Sequence, residues 1–312
     1  MSDAAVGATS ARRAVSHERR PRRGFRNPWR KPWILGGVTV AYLAWSILPV
    51  LIAIVFSFNA GRSRSVWQGF SLRWWWEDEV DALFTNPAYR SAIPQSFKLA
   101  ILTVIIAVPL GTLFAIAIDR WHGRPASGAN FTMLLAFVVP EIVIGVSMFL
   151  VFTFLLKNIF NLGTTAQVIG LATYQIAYPV IVVRARLLTI PKYYEEAGMD
   201  LGASPTQAVR KVLMPLLFPA IFASAALVFA DAIDDFVTVR YLCASQNCQS
   251  LSIIIYGSAR ASPTPAVNAA ATLMLVSTLS AIAVGYLIYH FSTRGQRTKD
   301  ESGVKGFVNV GV

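Results

Sequence analysis

The sequence predicts an all-α membrane protein with six transmembrane helices, and three observations carry that reading. Hydrophobic residues fill 55% of the 312 positions and charged residues only 14%, with a mean hydropathy of +0.53; ordinary soluble domains carry about 25% charged residues. Six apolar runs approach or exceed the roughly 20 residues that a helix needs to cross about 30 Å of hydrocarbon. The basic residues, finally, gather beside alternate runs rather than spreading evenly.

Residues 1–31 are basic and poor in apolar side chains, which predicts a disordered cytoplasmic tail. The first span, Trp33 to Phe58, follows this Arg-rich segment as a signal peptide would. Its apolar run is too long for a signal core of about 7 to 15 residues, and no small-x-small cleavage site follows, so a retained helix is expected. The further spans are Ala92 to Ile118, Phe131 to Leu156, Ala166 to Leu188, Leu213 to Phe236 and Ala266 to Phe291. Pro109, Pro140, Pro179 and Pro219 fall inside four of them, each removing a backbone donor and inviting a kink that either lines a pathway or improves packing. The fifth span carries Ala220, Ala223, Ser224, Ala225, Ala226 and Ala230, small enough for close helix contact. The stretch after Arg294 is read as disordered, within a cytoplasmic tail of residues 293–312.

Charge sets the orientation. Of the 28 Lys and Arg, nine precede the first span, two are Arg120 and Arg124, five lie from Arg184 to Lys211 and four follow Phe291. The other eight, Arg62, Arg64, Arg73, Arg90, Lys98, Lys157, Arg240 and Arg260, are spread over three outer loops and span edges. Lys and Arg near span ends are retained inside, so both termini are expected in the cytoplasm. The net charge of +12 is then a topology and anionic-lipid signal rather than a nucleic-acid footprint.

Enzyme signatures are lacking. No phosphate loop, H-E-x-x-H or G-x-S-x-G occurs, and His17, His122 and His290 lie in tails or at membrane edges. Cys243 and Cys248 in "CASQNC" fall in the loop after the fifth span, on the outer side, where they are either a disulfide or two free thiols. Zinc is not expected there, because no further Cys or His completes a tetrahedral site.

The inner loop after the fourth span, about residues 190–212, is the most informative stretch. In "YYEEAGMDLGASPTQAVRKVLMPLLFPA", Pro191 suits a first helical turn, Glu195, Glu196 and Asp200 complement a helix dipole, and Gly202 supplies a stop. Ser204, Pro205 and Gln207 then form a capping-box pattern that restarts the chain as a helix continuing into the fifth span. The spacing of Glu196, Ala197, Gly198, Gly202 and Pro215 resembles the E-A-A-x-x-x-G coupling motif of ABC importer permeases, which a Leu-Pro closes. Gly198 replaces the second alanine, Val209 a common aromatic and Met214 the leucine. The stretches "PEIVIGVSMFLVF", "AIDDFVTVRYL" and "LSIIIYGSARASPTPAVNAAATLML" resemble the spermidine/putrescine group of these permeases.

The resemblance implies a type I ABC importer permease fold in a bacterial inner membrane, with residues 32–292 as its six-helix domain. It implies partners as well: a second permease, two ATPase subunits, an extracytoplasmic solute-binding protein and a small cationic cargo. This chain would bind no cofactor, with ATP and Mg²⁺ held by the ATPases. Glu195, Glu196, Ala197, Gly198, Asp200, Gly202 and Pro215 would couple to the ATPase. For the cargo path, Glu141 in the third span must face a cavity or pair within the bundle, since a lipid-facing carboxylate costs several kcal/mol. Tyr174 and Gln175 could add hydrogen bonds or merely pack. Asp231, Asp234 and Asp235 stand at i, i+3 and i+4 on one helical face, either neutralised by Arg240 or a partner chain, or open to a polycation. Two further readings are import of another small solute and an ion-coupled secondary transporter using these carboxylates. The latter leaves the coupling loop unexplained, and a membrane scaffold explains less.

Overall fold

The computed structural model describes residues 33–63, 65–120, 128–129, 131–133, 135, 138–261 and 264–308. The expected tail 1–31 with His17, the residues His122 and Arg124, part of the third span, and residues 309–312 lie outside them. The described chain is helical, with one isolated bridge between Asn59 and Phe70.

Helix α1, Trp33–Phe56, contains no buried residue, and its apolar side chains are exposed along its length. A helix apolar on all sides is one made for lipid. A loop follows in which Phe58 stacks on Phe70 and Trp75, and the buried Trp74 indole donates to the Asn59 carbonyl at 2.7 Å.

The helices after that loop form one packed body, and α2, Pro87–Arg120, is its centre. It packs along α4 (Thr164–Gln175), α5 (Ala177–Leu187) and α8 (Met214–Asp234). The closest approach is at Gly111, where a Cβ would lie 2.4 Å from Pro179 Cγ and 2.8 Å from the Ile176 carbonyl. Glycine is required there because α2 meets the break between α4 and α5. A core of Ala115, Ile118, Val180, Val183, Leu187, Leu213 and Leu217 fills the same end of the bundle. The small-residue face of α8 is split: Ala220 and Ser224 are buried, whereas Ala223 is exposed.

Among the described residues, five helices are long and apolar enough to cross a membrane: Trp33–Phe56, Pro87–Arg120, Thr164–Leu187, Pro205–Asp234 and Pro265–Leu287. The expected third span differs. It is interrupted at Pro140, whose ψ of 135° leaves the helical region, and only the short apolar helix Glu141–Leu155 follows. Its first part is α3, Glu141–Leu150, and its end a π-helical turn, Val151–Leu155. Proline lacks the donor and crowds the preceding turn, so the helix restarts after it.

Between α5 and α8 the chain forms α6 (Tyr193–Asp200), α7 (Pro205–Ala208) and a π-helical turn, Val209–Leu213. The π turn precedes Pro215, whose missing amide and ring crowding widen the ladder. Beyond α8 come α9 (Val237–Tyr241), α10 (Leu251–Ala261) and α11 (Pro265–Val308). The stretch after Arg294, expected to be disordered, is helical to Val308. Extending a helix already nucleated by the membrane-length segment avoids a second nucleation cost, and Gln296, Arg297, Lys299 and Glu301 are good helix formers.

Candidate functional site

The inner segment folds as its local chemistry dictates, with α6 starting at Tyr193, two residues after Pro191. Gly202 adopts φ +89°, donating to the Met199 carbonyl at 2.8 Å, while Ala203 donates to the Gly198 carbonyl at 3.1 Å. This paired pattern closes a helix around a left-handed residue. The Gln207 amide donates to Ser204 Oγ at 3.3 Å and the Ser204 amide to Gln207 Oε1 at 3.1 Å, completing the capping box. At Gly198, a Cβ would sit 3.4 Å from Val212 Cγ2, an ordinary contact. The departure from the motif's alanine therefore costs the fold no space.

Helix α6 has two faces. Gly198 packs on the π turn, and Glu195 pairs with the Arg120 guanidinium at the end of α2. Glu196, Ala197, Asp200, Tyr193, Tyr194, Met199 and Leu201 are exposed, Leu201 at 91%. Exposed aromatic and apolar side chains beside carboxylates suit a partner's groove.

The carboxylates meet at the other end of the bundle. Tyr178 donates to Asp231 Oδ1 at 3.1 Å, Gln175 Nε2 to Asp231 Oδ2 at 2.9 Å, and Tyr174 to Asp235 Oδ2 at 2.5 Å. Tyrosines at i and i+4 thus match aspartates at i and i+4 in reverse order, as antiparallel helices require. Asp235 lies beyond the end of α8 and is 5% exposed, whereas Asp234 is exposed and Asp231 half-buried. The three aspartates therefore border the same space, but Asp235 does so from beyond the helix end rather than as part of one helical face. The backbone breaks helical geometry at Asp235, with ψ 120°, so that its Oδ1 accepts from the Val239 amide at 3.1 Å and closes the start of α9.

Glu141 sits at the first turn of α3 rather than deep within a helix, and it is exposed to two adjoining cavities. One, of about 240 Å³, is lined by Glu141, Tyr174, Tyr178 and Asp231 among others; the second, of about 510 Å³, adds Asp234, Asp235 and Phe236. Among the described residues lining them none is basic. Arg240 instead lines a third cavity, of about 560 Å³, together with Asp81, Tyr89 and Tyr256, and makes no ion pair to the aspartates among the described residues. Phe236 lines both the second and third cavities and stacks on Tyr256 at 4.1 Å. Four carboxylates around shared space without a cation repel one another, by about 1 kcal/mol per pair at 4 Å in water and more in a less polar setting. A cationic ligand relieves that repulsion.

Residues 107–298 match the family described as binding-protein-dependent transport system inner membrane component. The chain belongs to this family. The permease is 29% identical to the putrescine transport system permease protein PotI of Escherichia coli (strain K12), over 88% of this chain and 94% of that protein. It is 31% identical to the spermidine/putrescine transport system permease protein PotC of the same organism, over 83% and 95%. In fold it resembles a crystal structure of a bacterial ABC transporter involved in the import of the acidic polysaccharide alginate, with TM-score 0.66, 15% identity, and coverage of 84% of this chain and 96% of that one.

The permease brings Glu141, Tyr174, Asp231, Asp234 and Asp235 to one region and keeps Glu195 to Asp200 apart from it, at the other end of α2, α5 and α8. Sequence reasoning missed Tyr178 and Phe236. The spacing of Tyr174 and Tyr178, matching that of Asp231 and Asp235, was the available signal for the first; no local pattern marks the second. Cys243 and Cys248 are bonded, with Cα atoms 5.5 Å apart. The buried Gln167 amide donates to the Cys248 and Val239 carbonyls, both at 2.9 Å, and accepts from Gln95 at 3.1 Å, tying the cystine loop to α2 and α4.

Proposed function

We propose that this permease is the membrane subunit of an ATP-driven importer of polyamines such as putrescine and spermidine. The observation that carries the cargo reading is the acidic cavity of Glu141, Asp231, Asp234 and Asp235, with no basic side chain among its described lining residues and with Tyr174 and Tyr178 holding two of the carboxylates. The relatives' names, putrescine and spermidine/putrescine transport, point the same way. A polyamine's ammonium groups shed water only where oxygens replace it. Carboxylates with phenol donors fixing their orientation supply such oxygens.

In this reading the chain crosses the membrane six times with both ends in the cytoplasm, the interrupted segment around Pro140 serving as the third crossing. Residues 1–31 and 293–312 are cytoplasmic tails around the 32–292 permease domain. It pairs with a second permease, and α6 docks on one of two ATPase subunits that bind ATP and Mg²⁺, so this chain holds no cofactor and catalyses no hydrolysis. A solute-binding protein delivers cargo on the outer side. Closure of the ATPases shifts the bundle between inward and outward openings, which requires that each state bind its partners differently.

Reconstitution with the second permease, the ATPases and the binding protein should give ATP-dependent accumulation of labelled putrescine or spermidine, competed by the other polyamine. Accumulation of an uncharged or anionic solute in their place would reject the cargo. For topology, a membrane-impermeant thiol reagent should label Cys243 and Cys248 on intact, wall-stripped cells after reduction. Labelling confined to inverted vesicles would reverse the orientation.

A further inference from the structure

Glu195 sits on the coupling segment yet faces into the permease. Its side chain is 13% exposed and bonds the guanidinium of Arg120, the last residue of α2, which also lies 3.4 Å from Asp119. Its neighbours Glu196, Ala197 and Asp200 are exposed. Helix α6 is joined to α8 through the turn at Gly202 and the short helix α7, and Gly198 rests on the π turn, so these attachments all lie on the α8 side. The ion pair adds an attachment at a different helix. Helix α2 leads from Arg120 to the region of the acidic cavity: its Ala107 and Val108 pack on Val228, and its Ala100 packs on Ala232 and Ile233, which flank Asp231 and Asp234.

We propose that Glu195 is a positioning residue that fixes α6 to α2 through Arg120, so that a displacement of α6 reaches the cavity wall along α2 and α8 together. The inference rests on the coupling reading above and assigns Glu195 a role distinct from that of Glu196: Glu196 meets the ATPase, and Glu195 links the docked helix to α2. A helix held only from the α8 side passes its displacement to α8 alone, whereas one also held at α2 moves both. Glutamine at either position keeps a side chain of similar shape that can still hydrogen-bond, so loss of the ion pair is read in transport rather than in assembly.

The test uses the complete importer in proteoliposomes and measures ATP hydrolysed per cargo molecule moved. Glu195→Gln and Arg120→Gln should each keep the ATPases bound and hydrolysing while raising that ratio by about fivefold or more, and the double variant should be no worse than Arg120→Gln alone, as for two residues acting through a shared contact. Arg120→Lys, which keeps the charge, should recover most of the normal ratio. A spin label at position 200 should gain mobility in both Gln variants and not in Arg120→Lys. Unchanged ratios with an unchanged label, effects that multiply in the double variant, or release of the ATPase from Glu195→Gln would each overturn the proposal. The label needs no transport: a permease that moves no polyamine sinks the functional reading, while the label alone still decides the tether.

Discussion

Gly202→Val is expected to abolish cargo uptake while leaving the permease in the membrane at its normal level. The φ of +89° at Gly202 is what turns the chain from α6 into the Ser204 capping box. For a residue with a Cβ that conformation costs about 1–2 kcal/mol, and β-branching makes it a genuine outlier. A Cβ at Gly202 meets no atom within 4 Å, so the penalty is one of backbone and not of packing. Asn tolerates left-handed backbone best, so uptake should fall in the order Asn, Ala, Val, with Val the most severe. Glu196→Lys provides the complementary test. Glu196 is exposed, so reversing its charge leaves the fold intact and acts on whatever docks against α6. Uptake of labelled cargo, membrane abundance and co-purification of the ATPase should be measured together. Normal uptake in both Gly202→Val and Glu196→Lys, with the ATPase bound, would end the docking hypothesis.

The coupling segment was legible in the sequence because its signals are local: a capping box needs two side chains three residues apart, and a helix stop needs a glycine. The span positions were legible for a similar reason, since hydrophobicity is summed over a window. The acidic site was only half legible. Asp231, Asp234 and Asp235 look equivalent along a helix, yet the helix ends at Asp234, and the carboxylate after it turns inward to close α9. Helix termination by a buried tertiary contact has no pattern at i, i+3 and i+4. Glu141 was expected to face a cavity or a partner, and it lines two cavities; what was not legible is that Pro140, read as a kink, acts as a break that sets Glu141 at a helix start. The Arg120 and Glu195 pair was beyond reach, because it joins residues far apart in the chain and depends on how α6 lies against α2.

Asp231→Asn is expected to lower polyamine uptake by about tenfold or more while the importer still assembles. Asparagine keeps the shape: its oxygen can still accept from Tyr178, and its NH₂, in place of Oδ2, can donate to the otherwise unpartnered Gln175 Oε1 once that amide turns over, so the change removes charge more than structure. A charge-assisted hydrogen bond to an ammonium group contributes about 1.5–3 kcal/mol, and about 1.4 kcal/mol corresponds to a factor of ten in rate. Asp234→Asn should lower uptake less, because Asp234 is exposed and none of the described hydrogen bonds orients its carboxylate. Asp235→Asn should behave differently again. Its carboxylate is buried, accepts from Tyr174 and from the Val239 amide, and holds the break between α8 and α9. An amide in that place must turn an NH₂ toward one of two donors, which leaves a buried donor unsatisfied. Reduced assembly is therefore expected for Asp235→Asn, and reduced transport with normal assembly for Asp231→Asn. Labelled putrescine and spermidine uptake in a strain lacking other polyamine importers, set beside the yield of intact complex, separates the two. Normal uptake in Asp231→Asn would remove the cavity from the cargo path, and loss of assembly in that variant would make its carboxylate a structural one. The contrast is sharp because both aspartates share one cavity and one pair of tyrosines: only the residue whose charge is free to meet a cation should change transport alone.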